Sequence, residues 1–255
     1  MPFVENIVVY PIKSMDGLSV RQAVVTKGGS LAWDRQFAFF TAEGKTVNAK
    51  KYPTIQQIRA DFNLNYGLVT FTFGKQSKTF DLFYDQAAIA QWIGGFLGIA
   101  IEMRQNNNSG FPDDRQRSGP TVISTATLQT VANWFGLSVE QTRRRFRANI
   151  EIGGCPPFWE DSLLQAPDTP RSFYLGEVEI YGLKACARCP VPSRNPDTGI
   201  ALAHFQAVFE RLRREHLPSF APVSQFPHYY FLSINTQIPA HQAGKVIQIG
   251  DVVSA

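Results

Sequence analysis

Leu183-Lys184-Ala185-Cys186-Ala187-Arg188-Cys189-Pro190-Val191-Pro192-Ser193-Arg194-Asn195-Pro196-Asp197-Thr198-Gly199 holds two of the chain's three cysteines and follows a strand-like run over residues 173–183. Its tail, residues 195–199, reads as a turn, with Pro196 presetting φ and Gly199 permitting φ > 0. An ionisable sulfur at a strand end beside Arg188 is chemically poised, because thiolate is the attacking and ligating form and a neighbouring cation favours it. Pro190 and Pro192 predict extended chain beyond the second cysteine. A lone Cys-x-x-Cys leaves three readings open. It could be half of a zinc site completed by Cys155 and one of His204, His216, His228 or His241. It could be a redox dithiol, which needs a helix N-terminus at the first sulfur. It could also be a pair of ordinary buried cysteines.

Outward from this stretch the pattern is mainly β. Residues 3–10, 18–26 and 31–40 are short runs rich in β-branched and aromatic residues, broken by Asp16-Gly17, Gly28-Gly29 and Glu43-Gly44. Residues 57–62, 68–73 and 78–82 continue it, with Asn65-Tyr66-Gly67 as a hairpin connection. The period then changes. Ala87, Ile89, Ala90, Ile93, Phe96 and Leu97 share a helical face. The polar residues 103–119 predict a loop and the domain boundary, giving parts 1–105 and 106–255. A strand at 121–123 precedes a helix marked by Leu128, Val131, Ala132 and Phe135. A second helix starts at Ser138 with a capping box reaching Gln141. Strands at 147–152, 229–234 and 246–253 and a helix through Phe205, Val208, Phe209 and Leu212 complete the chain. The predicted class is mainly β with several helices (α+β), closed into one or more barrels.

Composition narrows the functional classes. The 255 residues are 44% hydrophobic and 13% aromatic, enough for a substantial core and against disorder. Twenty phenylalanines against three methionines suggest a stiff core. The net charge of +4 favours an anionic ligand but is too small and scattered for nucleic acid. The dense run Arg143-Arg144-Arg145 reads as a helix end complementing the dipole, with a solvated face. The odd cysteine count and the lack of a leader-like start predict free thiols in a reduced, cytoplasmic protein. No apolar stretch reaches the ~18 residues needed to span a bilayer.

Several segments carry polar groups suited to an anion. Lys13 and Ser14 pair a point charge with a hydroxyl in a turn, read as a phosphate clamp or as a solvated lysine and a turn serine. Arg35 stands in an apolar run and needs a carboxylate or an anion if buried. Asp34 is expected on the opposite strand face. Arg147 and Asn149 are expected on one strand face, suited to a polar, anionic heterocycle. Residues 156–161 form a rigid aromatic turn whose acids cap or hold arginines. The four histidines sit in no spaced motif and read as structural or exposed.

Taken together, Tyr10-Pro11-Ile12-Lys13-Ser14, Asp34-Arg35, Arg147-Ala148-Asn149-Ile150, Phe158-Trp159-Glu160-Asp161, Cys186-Ala187-Arg188-Cys189 and the 195–199 turn resemble the MOSC family in its own order. This is the domain found at the C-terminus of molybdenum cofactor sulfurases. The two-part arrangement is similar to that of the amidoxime-reducing enzymes. The resemblance implies an N-terminal β-barrel-like domain packed on a MOSC β-barrel, with a molybdenum cofactor (molybdopterin) between them. It implies Cys189 as the catalytic protein ligand to molybdenum. Lys13, Ser14 and Arg35 would grip the cofactor phosphate, Arg147 and Asn149 would hold the pterin, and Arg188 would join the cofactor-binding set. The chain departs from the family at Pro192-Ser193 (usually Thr-Thr), Ala148 (usually Pro), Leu163 (usually Trp) and the longer, more helical 202–225 segment.

The resemblance implies a molybdenum-dependent oxidoreductase component acting on N-hydroxylated or related N–O substrates. Electrons would come from a separate ferredoxin- or cytochrome-type donor, since three cysteines cannot ligate a standard iron–sulfur cluster and also serve molybdenum, and no nucleotide-binding glycine fingerprint is present. The exposed arginines near Arg143 and Arg211–Arg214 are the expected docking charges. The alternatives are a persulfide carrier charged by a sulfur donor, with Cys189 as the sulfur site, and a non-catalytic cofactor-binding module. No nucleic-acid or membrane partner is expected.

Overall fold

A computed structural model describes residues 1–114 and 118–255. The chain opens with β1 (Phe3–Val9), β2 (Leu18–Val20), β3 (Gln22–Val24) and β4 (Phe37–Thr41). A meander of β5 (Arg59–Asn63), β6 (Leu68–Phe73) and β7 (Gln76–Asp81) leads to α1 (Gln86–Leu97) and β8 (Ile101–Gln105). Next come β9 (Val122–Ser124), α2 (Thr125–Phe135), α3 (Val139–Phe146) and β10 (Ile150–Gly153). The hairpin β11 (Arg171–Leu175) and β12 (Val178–Ala187), then α4 (Phe205–Glu215), β13 (Phe231–Gln237), β14 (Val246–Gln248) and β15 (Val253–Ser254), complete it.

Eight strands form the large sheet, in the order β15-β11-β12-β13-β9-β10-β1-β2. β9 and β10 are parallel, and α2 and α3 make the crossover that such a pair requires. The ladder does not close into a barrel, which corrects the expectation of closed barrels. Its two ends nevertheless approach each other: Phe3 bridges Val252, and the Val4 and Val253 N–H groups donate to the Asp251 and Pro2 carbonyls. Strands therefore cross the expected 105/106 boundary. β1 and β2 join the sheet of the second part and β3 pairs with β14, because Val4, Ile7, Val9 and Ala23 belong to the core under that sheet. The rest of the first part wraps a separate core, in which Phe37, Phe39, Phe71 and Phe80 meet Ile89 and Ile93 of α1. A third core sits under α2, α3 and α4, where Phe146, Phe158, Phe205 and Phe209 meet Leu128 and Tyr230.

Local chemistry explains the element ends. The side chain of Ser124 caps α2 by accepting from the Thr127 N–H, and Gly136 (φ 61°) ends it. Ser138 and Gln141 form the reciprocal capping box expected for α3. The single strand predicted over 173–183 is a hairpin, because Gly176 (φ +57°) lets the chain reverse where a side chain would meet Asp251. The expected loop at 103–119 overlaps the end of β8, and its residues 115–117 lie outside the described residues.

Glu160, in the short 3₁₀ turn Trp159–Leu163, locks this turn to the start of α2. Its Oε2 accepts from the Ser124 N–H at 3.2 Å and the Thr127 hydroxyl at 3.0 Å. Burial, reinforced by the charge of Asp161, pushes its pKa from the usual 4.5 up to about 7. A carboxyl whose folded pKa is raised contributes stability while protonated and loses that contribution as pH rises through the folded value. The urea midpoint of the wild type is therefore expected to fall between about pH 4.5 and 7 relative to Glu160→Gln, which removes the titrating group. Parallel pH profiles for the two proteins would contradict this.

Candidate functional site

Tyr10, at the end of β1, organises the polar centre. Its ring carries two guanidinium groups, with Arg147 Cζ 4.2 Å and Arg35 Cζ 4.5 Å from its centroid. Its hydroxyl donates to the Ala148 carbonyl at 3.2 Å. Burial raises the phenol to about 12 against the pull of Arg147 and Arg35, so it stays neutral. Lys13 enters from the next turn. Its ammonium donates to the Phe111 carbonyl at 2.9 Å and pairs with Asp113. Burial pushes Lys13 down; Asp113 opposes this, and Arg35 and Arg147 push it further down. Asp113 is held below its usual value because Lys13, Arg35 and Arg147 outweigh desolvation.

Backbone geometry sets these side chains. Ser14, Arg35 and Arg147 all take left-handed φ values of 68°, 48° and 55°. Such values are costly in non-glycine residues and persist where the surroundings enforce them. They overturn two expectations. Arg35 does not lie in a strand; β4 begins only at Phe37, and the positive φ turns Arg35 back so that its Nη1 reaches both Asp34 carboxylate oxygens at 2.6 Å. Arg147 and Asn149 do not share a strand face either. Arg147 is the C-cap of α3 and β10 starts at Ile150.

The expected residues fall into two groups. Lys13, Arg35 and Arg147 gather around Tyr10, and Ser14 follows Lys13 in the same turn. The Ser14 hydroxyl makes no hydrogen bond among the described residues, and Arg147 donates only through Nη1, to the Met15 carbonyl. The rest of that guanidinium is open to an anion. Asn149 is 2% exposed and its amide is fully engaged. Its Nδ2 donates to the Val8 carbonyl at 3.0 Å and Asp34 Oδ1 at 2.9 Å, while its Oδ1 accepts from Arg35 at 3.1 Å and from Thr121. It positions Arg35 and Asp34.

Cys189 lies on a separate loop joined to this centre through the end of α3. Cys189 is exposed, whereas Cys155 and Cys186 are half-buried, and all three are free. Burial raises the Cys155 thiol to about 12, an inert group. Arg188 donates to the Phe146 carbonyl, one residue before Arg147, and its Nη1 lies 3.2 Å from Cys186 Sγ. Arg145, expected on a solvated face, is 2% exposed and donates to the Pro192 carbonyl at 2.9 Å and to that of Arg194. Arg143 pairs with Glu140 and Glu151, and Arg144 with Asp197. The basic run is thus a set of struts to the cysteine loop and β10. The sequence hid the struts of Arg144 and Arg145 because their acceptors, Asp197, Pro192 and Arg194, lie far along the chain. The chain after Cys189 is a 3₁₀ turn (Val191–Ser193), not extended, since a proline φ near −63° suits a first helical turn equally well. No group of three or more His, Cys, Asp or Glu side chains suited to a metal converges among the described residues.

Residues 1–91 match the family described as the MOSC N-terminal beta barrel domain. The chain belongs to the MOSC family. This MOSC chain is 26% identical over 235 residues to mitochondrial amidoxime-reducing component 1 of Homo sapiens, covering 75% of this chain and 66% of that protein. It is 23% identical over 223 residues to molybdenum cofactor sulfurase of Caenorhabditis briggsae, covering 78% of this chain and 30% of that one. It is 35% identical over 176 residues to the sulfurase of Aspergillus oryzae, covering 67% and 20%. The MOSC chain thus spans just under two thirds of the amidoxime-reducing relative and less than a third of each sulfurase.

The free Ser14 hydroxyl, the open Arg147 donors and the exposed thiol of Cys189 fit a phosphorylated, metal-bearing cofactor. In the MOSC chain, Arg35→Ala is expected to weaken binding of inorganic phosphate by about 1.5–3 kcal/mol, roughly 10–150-fold. Arg35→Lys is expected to recover only part, because an ammonium lacks the planar fork. Isothermal titration beside Lys245→Ala, a remote exposed site, checks this; equal affinities would contradict it.

Proposed function

We propose that the chain is a molybdenum-cofactor-binding oxidoreductase component that reduces N-hydroxylated or related N–O substrates with electrons from a separate protein. The observation that carries the reading is the continuity of the site. Arg188 and Arg145 tie the Cys189 loop to the end of α3, and the next residue, Arg147, stacks on Tyr10 opposite Arg35. One end offers a soft thiol and the other a cationic cradle, the pair of chemistries a metal-bearing, phosphorylated pterin needs.

In this reading Lys13, Ser14, Arg35 and Arg147 hold the phosphate end. Asn149 keeps Arg35 aligned and Cys189 supplies the thiolate ligand. When bound, the cofactor supplies the redox metal at which the N–O bond is cleaved. Neutral Tyr10 gives the guanidiniums a flat, unreactive platform. Electrons reach the site across an interface. Arg143 and Arg213 are engaged by buried carboxylates, so exposed Arg214, with Arg211 in its surface pair with Glu215, supplies the docking charge that remains of those the sequence suggests.

Cofactor-loaded protein is expected to convert benzamidoxime to benzamidine with an artificial electron donor and not with NADH alone. Loaded protein that stays inert with every donor, yet passes sulfur to a cofactor acceptor, would favour the carrier reading instead.

A further inference from the structure

A carboxylate of the chain itself sits at the mouth of the cation cradle, and the cofactor reading gives it no part. We propose that Asp113 is the resident counter-ion of the cradle: it pairs with Lys13 while the site is empty, and an incoming phosphate group must displace it. Asp113 thereby determines specificity, by making small free anions poor occupants. The proposal rests on the reading of Lys13, Arg35 and Arg147 as the phosphate end of the site.

The backbone places Asp113 there. Residues 106–111 are fastened alongside residues 34–36. The Asn106 N–H donates to the Gln36 carbonyl at 2.8 Å, and the Phe111 N–H to the Arg35 carbonyl at 2.7 Å. Gly110 (φ +63°) passes so close that a Cβ would come within 2.5 Å of the Asp34 carbonyl oxygen. Phe111 packs edge-on against Phe40, with ring centroids 5.3 Å apart. The Phe111 carbonyl thus meets the Lys13 ammonium, and two residues on Asp113 pairs with the same ammonium. Asp114 turns instead to Lys184 of β12, at 3.0 Å.

The two acceptors on Lys13 differ in how readily they can leave. The Phe111 carbonyl is held by the hydrogen bond that its own N–H makes to Arg35. The Asp113 side chain is 97% exposed, and Lys13 is its only hydrogen-bond partner among the described residues. Turning it out into water costs little beyond that one ion pair, and exposed pairs are weak. Against desolvation, the charges of Lys13, Arg35 and Arg147 all hold this carboxyl below its usual value. It therefore answers to the same cations that a phosphate would meet.

The charge balance gives Asp113 its purpose. Arg35 is matched by Asp34, whereas Arg147 bonds only to the Met15 carbonyl. Among the described residues, Asp34 is the only other carboxylate bonded to these three cations. Without Asp113 the empty cradle would hold close like charges with one fewer counter-charge. A phosphate group brings at least as much charge and can take its place. A small free anion gains little beyond what Asp113 already supplies. A larger phosphorylated ligand adds contacts elsewhere and so overcomes the displacement.

Titration of the unloaded chain with inorganic phosphate tests this. Asp113→Asn keeps the shape and removes the charge. It is expected to bind phosphate about two- to fivefold more tightly than the wild type, the worth of an exposed charge pair. The gain should shrink at high salt, which screens exposed charges. Asp113→Glu restores the charge and should return the affinity to that of the wild type. In thermal melts, phosphate should raise the melting point of Asp113→Asn more than that of the wild type. Equal or weaker phosphate binding by Asp113→Asn, or a gain retained in Asp113→Glu, would overturn the proposal and leave the cradle reading intact. Phosphate binding by neither the wild type nor Asp113→Asn would contradict the cradle itself, and the proposal with it.

Discussion

Asp161→Ala is expected to destabilise the protein by about 3–5 kcal/mol, because it strands a buried cation. Arg213 of α4 is 1% exposed and pairs with Asp161, itself 3% exposed. Its guanidinium lies between two rings, 4.3 Å from the Phe158 centroid and 5.0 Å from that of Phe226. Its Nε and Nη1 atoms have no partner among the described residues. The carboxylate is thus the only anion bonded to it among them, and ring faces replace it poorly. For a chain of this size the loss corresponds to a melting-point drop of roughly 10 °C. The double variant Asp161→Leu with Arg213→Met removes both charges and fills similar volume. It should be markedly more stable than Asp161→Ala, since apolar replacement of a buried pair is often neutral or better. Thermal melts of the two proteins decide the matter; equal losses would show that packing, not charge, holds α4 in place.

Cys189→Ser is expected to abolish molybdenum retention, while Cys186→Ser largely keeps it. Serine offers a hard, protonated oxygen in place of a soft thiolate. The two cysteines differ in setting. Cys189 is exposed at the end of the strand–loop junction, whereas Cys186 is half-buried in β12 against Arg188. Elemental analysis of both variants checks the expectation. Equal loss in the two would point to a shared dithiol or zinc site.

The amino-acid sequence discloses strand and helix positions well where local chemistry decides them. Residues 68–73 match β6 at both ends, and the Ser138 capping box forms as expected. It fails where long-range closure decides. Nothing in residues 3–9 announces that β1 pairs with β10, some 145 positions on, and so crosses the expected boundary. The site is legible as a set of residue types, and Lys13, Arg35 and Arg147 do meet around Tyr10. The role of Tyr10 itself was invisible, because an aromatic at a strand end reads as core. Alternation along strands misplaced Arg35 and Arg147, since positive φ breaks the period-2 rule and neither residue is a glycine that would signal it. Buried Arg145 and Arg213 likewise read as surface charge, because their partners are backbone carbonyls and a carboxylate far along the chain.

The central claim is that the thiol loop and the cation cradle together hold a molybdenum–pterin cofactor. The most direct test is metal analysis together with pterin fluorescence on the wild-type protein purified from a molybdate-fed host. Molybdenum and pterin present in equal, stoichiometric amounts are the expected result. Protein that takes up neither, while folded and with Cys189 reduced, would contradict it.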